Sequence, residues 1–336
     1  MRIQWQPVVA FFFAVWLSGT AQQCAGADLL QGIVLIGAKT EDTSQSCSIQ
    51  LISRKGNQLR TLIRHETGTS YPGGRVSRSG DRVAWCVPVG KERYEFHVVD
   101  ADGNSKKVAD GRGMITAWSH DDSRIAVYRS SAANKGAFES LVINVETGEE
   151  TLLKLPADYL ADDWHPKTGV RTALFMNPRN RMYRKLKGDN YPTRQLDLLS
   201  EDGTLKPLTK NPSTDNIWSR FSPKGDRIAH YGRTLDGETA LEYGVVCQAD
   251  GSEPAVVFEF AKFGMSNGLP WFRPFGSPAW SPDGKLLAWL VHSNPEAKSD
   301  GEKLELLLIP TGQGEPKRIL LAAEIGIRWV SGIDWR

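Results

Sequence analysis

The sequence contains little cysteine, with four residues in 336, and no two of them stand at C-x-x-C spacing. The absence of this spacing excludes a zinc ribbon and a dithiol redox motif. Cys47, Cys86 and Cys247 lie in apolar runs typical of strands, so we predict that they are buried small hydrophobic residues. Cys24 lies in the N-terminal segment that we interpret below as a signal peptide. Its removal leaves three cysteines, an odd number, so at least one thiol is unpaired or pairs between chains.

An excess of charge of either sign is also missing. Lys and Arg number 41 against 39 Asp and Glu, and the six histidines are scattered singly. A nucleic-acid-binding protein would show a strong basic excess on one face, so we expect no nucleic-acid partner. P-loop and dinucleotide-binding patterns are absent, and His65-Glu66 lacks the second histidine of a zinc-protease helix. We therefore predict no cofactor, no metal site and no catalytic residue.

The one long apolar run is at the N-terminus. Arg2 precedes the apolar residues 7–17, and Ala25-Gly26-Ala27 fits a signal-peptidase site. The run is short for a membrane span. We interpret residues 1–27 as the signal peptide of a periplasmic or secreted protein with no transmembrane span after cleavage. The alternative is an uncleaved membrane anchor.

Glycine and tryptophan, in contrast, are plentiful, with 32 and 11 residues, and they belong to an internal repeat. The best copy of its first phrase is the segment 279–289, which reads AWSPDGKLLAW, and four further copies begin near residues 76, 117, 163 and 220. Pro presets the backbone of a tight turn, Asp bonds nearby backbone donors and Gly accepts a positive φ. The phrase therefore predicts two antiparallel strands joined by a short turn. The shortest spacing between copies, 42 residues, matches one four-stranded propeller blade.

A second hairpin, whose outgoing strand ends in a Gly turn, follows each copy of the first phrase. One more copy of this hairpin precedes them all, so there are six copies of the hairpin against five of the first phrase. The first blade therefore lacks an inner strand, whereas the chain ends on a seventh partial phrase in which Trp335 takes the place of Trp280. We predict an all-β, six-bladed β-propeller whose ring is closed by the C-terminal strand pairing into the first blade. The predicted domain covers residues 28–336, with blades at about 31–64 plus 328–336, 70–110, 113–156, 158–210, 215–262 and 274–322.

The phrase Ser281-Pro282-Asp283-Gly284 followed by Leu-Leu-Ala-Trp resembles the WD-repeat-like motif of TolB-type propellers, and the resemblance covers about residues 31–336. It implies the propeller fold and a protein partner in the cell envelope. We expect no counterpart of the N-terminal domain of TolB itself, because only a few residues separate the predicted signal peptide from the first predicted strand. The motif also resembles the propeller of prolyl-oligopeptidase-like enzymes, without their hydrolase domain.

We name the strands of a blade A to D from the channel outwards. The A–B and C–D turns are short and define a short-turn face, whereas the B–C and D–A connections lie on the opposite, insertion-bearing face. Two long connections on that face are expected at 177–193, which is basic, and at 263–275, which is aromatic. Their candidate binding residues are Arg181, Tyr183, Arg184, Lys185, Trp271, Phe272, Arg273 and Phe275. The alternatives are a solvated excursion for the basic segment and a lid packed on its own blade junction for the aromatic one.

These observations predict an exported, non-enzymatic propeller that binds a protein or peptide. The alternative is a hydrolase or lyase that acts on a small carbohydrate or peptide in the central channel. Asp162, Asp163 and Arg220 are the residues nearest to such a channel site. Paired carboxylates there could hold a cation, but Asp is a common turn residue, so we interpret Asp162-Asp163 as a solvated turn.

Overall fold

A computed structural model describes residues 30–40, 46–66, 73–89, 94–111, 113–130, 138–156, 159–181, 192–211, 214–236, 239–264, 271–294, 303–321 and 327–336. These residues form 25 strands in six antiparallel sheets. The first sheet combines β1 (Ile33–Thr40), β2 (Ser46–Ile52) and β3 (Gln58–Glu66) with the C-terminal β24 (Ile327–Trp329) and β25 (Gly332–Trp335). The chain is a six-bladed β-propeller.

Each of the other five blades is one continuous four-stranded segment, with its strands paired in chain order. Blade two contains β4 (Gly74–Val76), β5 (Arg82–Pro88), β6 (Tyr94–Asp100) and β7 (Ser105–Asp110), and blade three β8 (Gly113–Trp118), β9 (Arg124–Ser130), β10 (Phe138–Asn144) and β11 (Glu150–Leu152). Blade four contains β12 (Tyr159–Trp164), β13 (Arg171–Arg181), β14 (Pro192–Leu199) and β15 (Leu205–Pro207). Blade five contains β16 (Thr214–Phe221), β17 (Arg227–Asp236), β18 (Thr239–Gln248) and β19 (Ala255–Gly264). Blade six contains β20 (Trp271–Trp280), β21 (Leu286–Asn294), β22 (Lys303–Pro310) and β23 (Lys317–Leu320).

The repeated serine explains why each A–B turn is tight. In blade six the Ser281 hydroxyl donates to the Asp283 carboxylate at 2.6 Å and accepts the Leu286 N–H at 2.9 Å, so it joins both ends of the turn. Gly284 closes the turn at φ 69°, a conformation that other residues rarely adopt. Ser77, Ser119 and Ser222 accept a backbone N–H in the same way at 3.0, 3.0 and 3.1 Å.

The core lies between blades, where the aromatic residue that ends an inner strand packs against the blade before it. Trp118, Trp164 and Trp335 are each 1% exposed. An arginine from the preceding blade covers the ring in three cases, Arg82 over Trp118, Arg124 over Trp164 and Arg227 over Trp280, at 5.2, 5.3 and 4.9 Å. Such cation–π contacts contribute about 0.5–2 kcal/mol each. The repeat phrase thus joins neighbouring blades as well as the two strands within a blade.

The ring closes as the sequence predicts. Strand β25 pairs antiparallel with β1 through Ile33↔Trp335 and Leu35↔Ile333, and β24 pairs with the other end of β1. Gly32 donates its N–H to the carbonyl of Arg336 at 2.6 Å, and Arg336 returns the bond at 2.9 Å. The closing strand therefore supplies the hydrogen bonds of a full inner strand and leaves no bare edge on β1.

Both predicted insertions are shorter than expected. Strand β13 continues to Arg181, which pairs with Pro192, and β20 already begins at Trp271, which pairs with Asn294. The predicted loops 177–193 and 263–275 therefore shrink to 182–191 and 265–270, which lie outside the described residues. The prediction was wrong at these ends because backbone pairing with the neighbouring strand carries the ladder onward, a property that side-chain pattern does not encode.

The predicted setting of three cysteines is confirmed, because Cys47, Cys86 and Cys247 are buried in three different hydrophobic clusters. Burial raises the pKa of the Cys86 thiol to about 12, which keeps it protonated and unreactive. The proposed signal peptide lies outside the described residues. Among the residues that are described, no helix is long and apolar enough to cross a membrane.

Deletion of residues 329–336 should unfold the protein or open its ring, because β1 would lose its inner partner and the site of Trp335 would become a cavity. The milder variant Trp335→Ala should lower the free energy of unfolding by about 3–5 kcal/mol, the cost of emptying a buried tryptophan site. Leu152→Ala on the outer strand β11, where the side chain is 60% exposed, should change it by less than about 0.5 kcal/mol. Thermal and urea unfolding measure all three, and an unchanged midpoint in the deletion variant would refute the closure.

Candidate functional site

The side chains that line the channel come from one repeated position, two residues before the start of each A–B turn. Its six occupants, in blades two to six and then one, are Arg75, Ala117, Asp163, Arg220, Ala279 and Asp334. Around the ring the order is therefore Arg-Ala-Asp twice, so each blade faces a blade that carries the same residue. The channel has approximate two-fold symmetry in charge.

Bulges bring two successive side chains of an inner strand towards the channel. In blades three to six the A strand carries at least one more residue than its B partner just before this position. A bulge turns the strand locally and redirects side chains that would otherwise alternate. In blade five the backbone of Trp218 takes φ 58° within the bulge, which is a strained conformation for a bulky residue.

Asp163 is buried, with 3% exposure, and its carboxylate links two blades. Oδ2 accepts the Phe221 N–H at 2.8 Å, and Oδ1 accepts a bond from Arg220 Nη1 at 3.0 Å. Its neighbour Asp162 accepts the Ser219 N–H at 2.7 Å and the Ser219 hydroxyl at 2.5 Å. The interpretation of Asp162-Asp163 as a solvated turn was wrong, because both carboxylates are used as acceptors by the backbone of the next blade.

The approximate symmetry extends to hydrogen bonds. On the opposite side of the ring, Asp334 Oδ2 accepts the Val76 N–H at 3.1 Å, as Asp163 accepts that of Phe221. Trp118 and Trp280 donate their indole N–H groups to the carbonyls of Arg75 and Arg220 at 2.8 and 3.0 Å. The same junction is therefore built twice, three blades apart.

Two arginines cross the channel and close it. Arg75 Nε and Arg220 Nη1 donate to the same acceptor, the carbonyl of Thr116, at 3.1 and 3.0 Å, and Arg75 Nη2 also donates to the Ser277 hydroxyl at 3.1 Å. Between this crossing and the short-turn face lies a cavity of ≈ 30 Å³, lined by Arg78 and Arg336 in addition to the ring residues. That volume holds about two water molecules.

Burial dominates the electrostatics of this end of the channel. It raises the pKa of Asp163 to about 6, against the lowering effect of Arg78. Burial likewise raises the pKa of Asp162 and lowers the pKa values of Arg75 and Arg78. Asp163 is therefore ionised at neutral pH and takes up a proton in mildly acidic solution.

The opposite end of the propeller carries apolar surface instead. Val89, Met114 and Phe138, which are 37%, 41% and 57% exposed, lie on the insertion-bearing face of blades two and three. Tyr128 joins two of them, since its ring packs edge-on against Phe138 with centroids 5.8 Å apart and its hydroxyl contacts Met114 Sδ at 2.7 Å. We call Met114, Tyr128 and Phe138 the apolar patch, and Val89 is an exposed apolar residue at the same face of blade two.

The structure leaves most of the predicted binding residues untested. Trp271, Phe272, Arg273 and Phe275 lie in the first half of β20, where the backbone but not these side chains is described, and the same holds for Arg181 at the end of β13. Tyr183, Arg184 and Lys185 lie outside the described residues. Strands β13 and β19 both end at the insertion-bearing face, so the two segments start from the same side, and their role stays a prediction.

Sequence reasoning pointed to Asp163 and Arg220 but missed Arg75, Arg78, Asp334 and Arg336. A signal for two of them was present in the repeat. When the repeat phrases are aligned on the first residue of the A–B turn, Arg75 and Asp334 fall at the same repeat position as Asp163 and Arg220.

The expected structural role of the histidines is illustrated by His165, which packs on Phe221 with ring centroids 5.0 Å apart and whose Nε2 lies 3.1 Å from the carbonyl of Gly225. Among the described residues no group of three His, Cys, Asp or Glu side chains could hold a metal ion.

The residues Gly264-Met265-Ser266-Asn267-Gly268 match the letters of a nucleophile elbow, G-x-S-x-G. In α/β-hydrolases that elbow joins a strand to a helix, which exposes the serine above the sheet. Here the segment follows β19 and precedes β20, so it joins two strands of an all-β fold. Its central residues lie outside the described part of the chain. We therefore do not assign Ser266 as a nucleophile, and use Ser266→Ala as a test variant below.

No family model and no curated protein matches the chain. Among solved structures it is similar to an oligogalacturonate lyase in complex with manganese, at 13% identity over 86% of this chain and 77% of that one, with a TM-score of 0.50. The chain has the fold of a β-propeller. A putative TolB from Agrobacterium tumefaciens is also similar, at 16% identity over 74% of this chain and 87% of that one, with a TM-score of 0.49. An acylaminoacyl peptidase in complex with Z-Gly-Gly-Phe-chloromethyl ketone matches at 16% identity over 87% of this chain and 51% of that one, with a TM-score of 0.46. Identities this low show the fold alone.

Asp163 should make the protein less stable as the pH rises. Its folded-state pKa of about 6 lies above the unfolded value of about 3.9. Between these two pH values the folded state binds more protons than the unfolded state. The stabilisation that comes from protonating Asp163 is therefore lost as the pH rises through the folded-state pKa. The free energy of unfolding of Asp163→Asn, measured with urea, should therefore rise relative to that of wild type by roughly 1–2 kcal/mol as the pH increases from about 4 to about 7.

The control for this experiment is Asp121→Asn. Hydrogen bonding from Ser119 lowers the pKa of Asp121, so its contribution is lost only as the pH falls below the unfolded value. The difference between Asp121→Asn and wild type should stay flat over the same pH interval. A flat difference for Asp163→Asn as well would contradict the raised pKa of Asp163.

Proposed function

We propose that this protein is a non-catalytic interaction module that binds a protein or peptide partner through its insertion-bearing face. The observation that carries the proposal is the position of the exposed apolar side chains. Five large hydrophobic residues of the described chain are exposed, and three of them, Val89, Met114 and Phe138, lie at that face, where Met114 and Phe138 are joined by Tyr128. Grouped exposed hydrophobic residues on a soluble protein mark interaction sites more often than single ones do.

The apolar patch has the composition of an interface centre. Tyr128 offers a large ring with a polar hydroxyl, Met114 adapts to irregular partners, and Phe138 adds aromatic area. Arg129, which follows Tyr128 on β9, is held by Glu139 and Glu150 at 2.9 and 2.8 Å, so the charges beside the patch are paired. A rigid apolar centre with a polar rim is the usual anatomy of a protein interface.

The predicted anchors extend this surface. Both long connections, 182–191 and 265–270, leave the scaffold at the same face, and recognition commonly sits on loops held by a rigid scaffold. Trp271 and Phe272 would add aromatic anchors, and Arg181, Arg184 and Lys185 a basic rim. Interface hot spots favour Trp, Tyr and Arg.

We propose that the protein is exported, which would put this surface in the cell envelope or outside the cell. The support is the N-terminal segment, with Arg2, an apolar run and Ala25-Gly26-Ala27. We therefore propose that the mature chain meets its partner in the periplasm or outside the cell.

The alternative, a hydrolase or lyase working in the channel, has one observation in its favour, the buried Asp163–Arg220 pair. The space beside this pair is ≈ 30 Å³, room for about two water molecules, so a sugar ring or a dipeptide could place one small polar group there but not its whole ring or backbone. Arg75 and Arg220 also close the channel above it. These dimensions favour the interaction module.

Phe138→Ala and Trp271→Ala should each weaken partner binding by about 2 kcal/mol or more at any salt concentration, the usual effect of truncating an interface anchor. The partner is first captured from the native envelope with the tagged mature chain and identified, and its Kd is then measured for each variant. Leu152→Ala, which removes an equally exposed side chain from the outer edge of blade three, is the matched control and should bind as wild type does.

Charge reversal of Arg181 and Arg184 should slow association mainly at low ionic strength, because rim charges act through steering. Loss of binding on substitution of Lys224 or Asp283, on the short-turn face, together with unchanged binding of Phe138→Ala and Trp271→Ala, would show that the face is wrong.

The purified mature chain should not hydrolyse generic ester or aminopeptide substrates. The chain offers a decisive control in Ser266→Ala, which removes the only hydroxyl of the G-x-S-x-G match. Robust turnover that survives repurification would overturn the non-catalytic proposal; its loss in Ser266→Ala would assign it to the G-x-S-x-G segment, and its persistence there would point to another site such as the channel.

A further inference from the structure

The cavity at the short-turn end of the channel carries a net positive charge. Four arginines and two aspartates line it, which leaves +2 when both carboxylates are ionised. Both aspartates are already used within the ring: Asp163 accepts from Phe221 and Arg220, and Asp334 accepts the N–H groups of Val76 and Trp335 at 3.1 and 2.9 Å. Asp162 and Asp122 lie close to these arginines but outside the lining, where they accept backbone N–H groups, so the positive excess belongs to the side chains that line the cavity.

Two arginine N–H groups at this cavity lack an acceptor. Arg220 is 9% exposed, and its Nη2 is buried with no hydrogen-bond partner, although Nη1 makes two bonds. Arg78 Nε is likewise buried and unpartnered, while Nη2 of the same residue bonds the carbonyl of Trp164 and lies 3.6 Å from Asp163 Oδ1. A buried donor of a charged group without an acceptor is destabilising, and a ligand oxygen that reached either donor would relieve that cost.

The other two arginines hold the walls of the cavity. Arg336 donates Nε to the carbonyl of Ser77 at 2.8 Å and Nη2 to that of Val76 at 3.0 Å, which fixes the end of the closing strand against blade two. Arg75 is fixed from the opposite side through Thr116 and Ser277. The unpartnered donors of Arg78 and Arg220 are thus presented by a rigid frame.

We infer that this cavity binds the carboxylate group of a ligand, through Arg220 Nη2 and Arg78 Nε, at the short-turn end of the channel. Room for about two water molecules suits the two oxygens of a carboxylate, and guanidinium groups bind carboxylates with short, charge-assisted bonds. A cation does not fit, because the net charge is positive and the open groups are donors. The inference goes beyond the proposed partner binding, which uses the insertion-bearing face instead of the short-turn end.

The carboxylate can come from a free small acid or from the C-terminus of a peptide. Both sources present the same planar group, and they differ in what is attached behind it. The cavity admits the group itself, and anything attached would lie towards the short-turn face, where Pro223 forms part of the lining.

The test uses the mature chain and ¹³C-labelled acetate at pH above neutrality and constant ionic strength, with the acetate line width as the readout. Wild type should broaden the line saturably. Arg220→Lys and Arg78→Lys keep the charge but remove the unpartnered N–H, and each should weaken acetate binding about tenfold, the effect of losing one bond to a charged group. Arg129→Lys, an arginine on the opposite face, should bind acetate as wild type does. Absence of saturable broadening with wild type, or equal binding by all variants, overturns the inference.

A second arm identifies the source and remains decisive if a lysine variant fails to fold. Gly-Gly and its C-terminal amide are compared with acetate on the wild-type chain. Tighter binding of Gly-Gly than of acetate indicates a peptide C-terminus, and binding of acetate alone indicates a free acid. Binding of the amide as tightly as Gly-Gly would show that no carboxylate is recognised and would overturn the inference. Since the partner patch is on the other face, Phe138→Ala should leave acetate binding unchanged, so the two proposals fail independently.

Discussion

The pairing of the last strand with the first holds every other feature in place. A blade is a small sheet with two faces to bury, and a neighbour on each side is needed to bury them. Only a closed ring provides two neighbours for all six blades. Strand β25 completes the ring by giving β1 an inner partner from the far end of the chain. The same pairing positions Asp334 and Arg336 at the channel. Closure therefore builds the frame and supplies part of the charged site.

One short stretch of the repeat serves three purposes. Its serine closes the A–B turn, its aromatic residue packs into the preceding blade, and the residue before the aromatic faces the channel. Because the three are consecutive, the fold fixes the position of the channel side chain as firmly as it fixes the core. The residue type at that position is then free to vary, and the order Arg-Ala-Asp repeated twice shows how a uniform scaffold carries a patterned charge.

The fold could be predicted from the sequence because its signals are local and repeated. Turn chemistry around Ser281 or Ser222 and the count of hairpins were enough for the number of blades and for closure. The channel site could be predicted only in part, because Arg75 and Asp334 are 259 residues apart and meet through ring closure. The bulges that turn Asp162 and Asp163 inwards, and the continuation of β13 and β20 into the expected loops, depend on backbone pairing between strands. A pattern of side chains does not report that pairing, which is why Asp163 was expected in solvent and lies buried.

The closing pair also determines how the protein would respond to mechanical tension. Residues 32 and 336 are hydrogen-bonded to each other at the open end of an antiparallel pair, so a force that pulls them apart loads one hydrogen bond at a time. Strands pulled in this direction peel, whereas strands pulled along their length resist with all their bonds at once. The ring should therefore open under a smaller force when it is pulled at these two points than when β25 is pulled along its length.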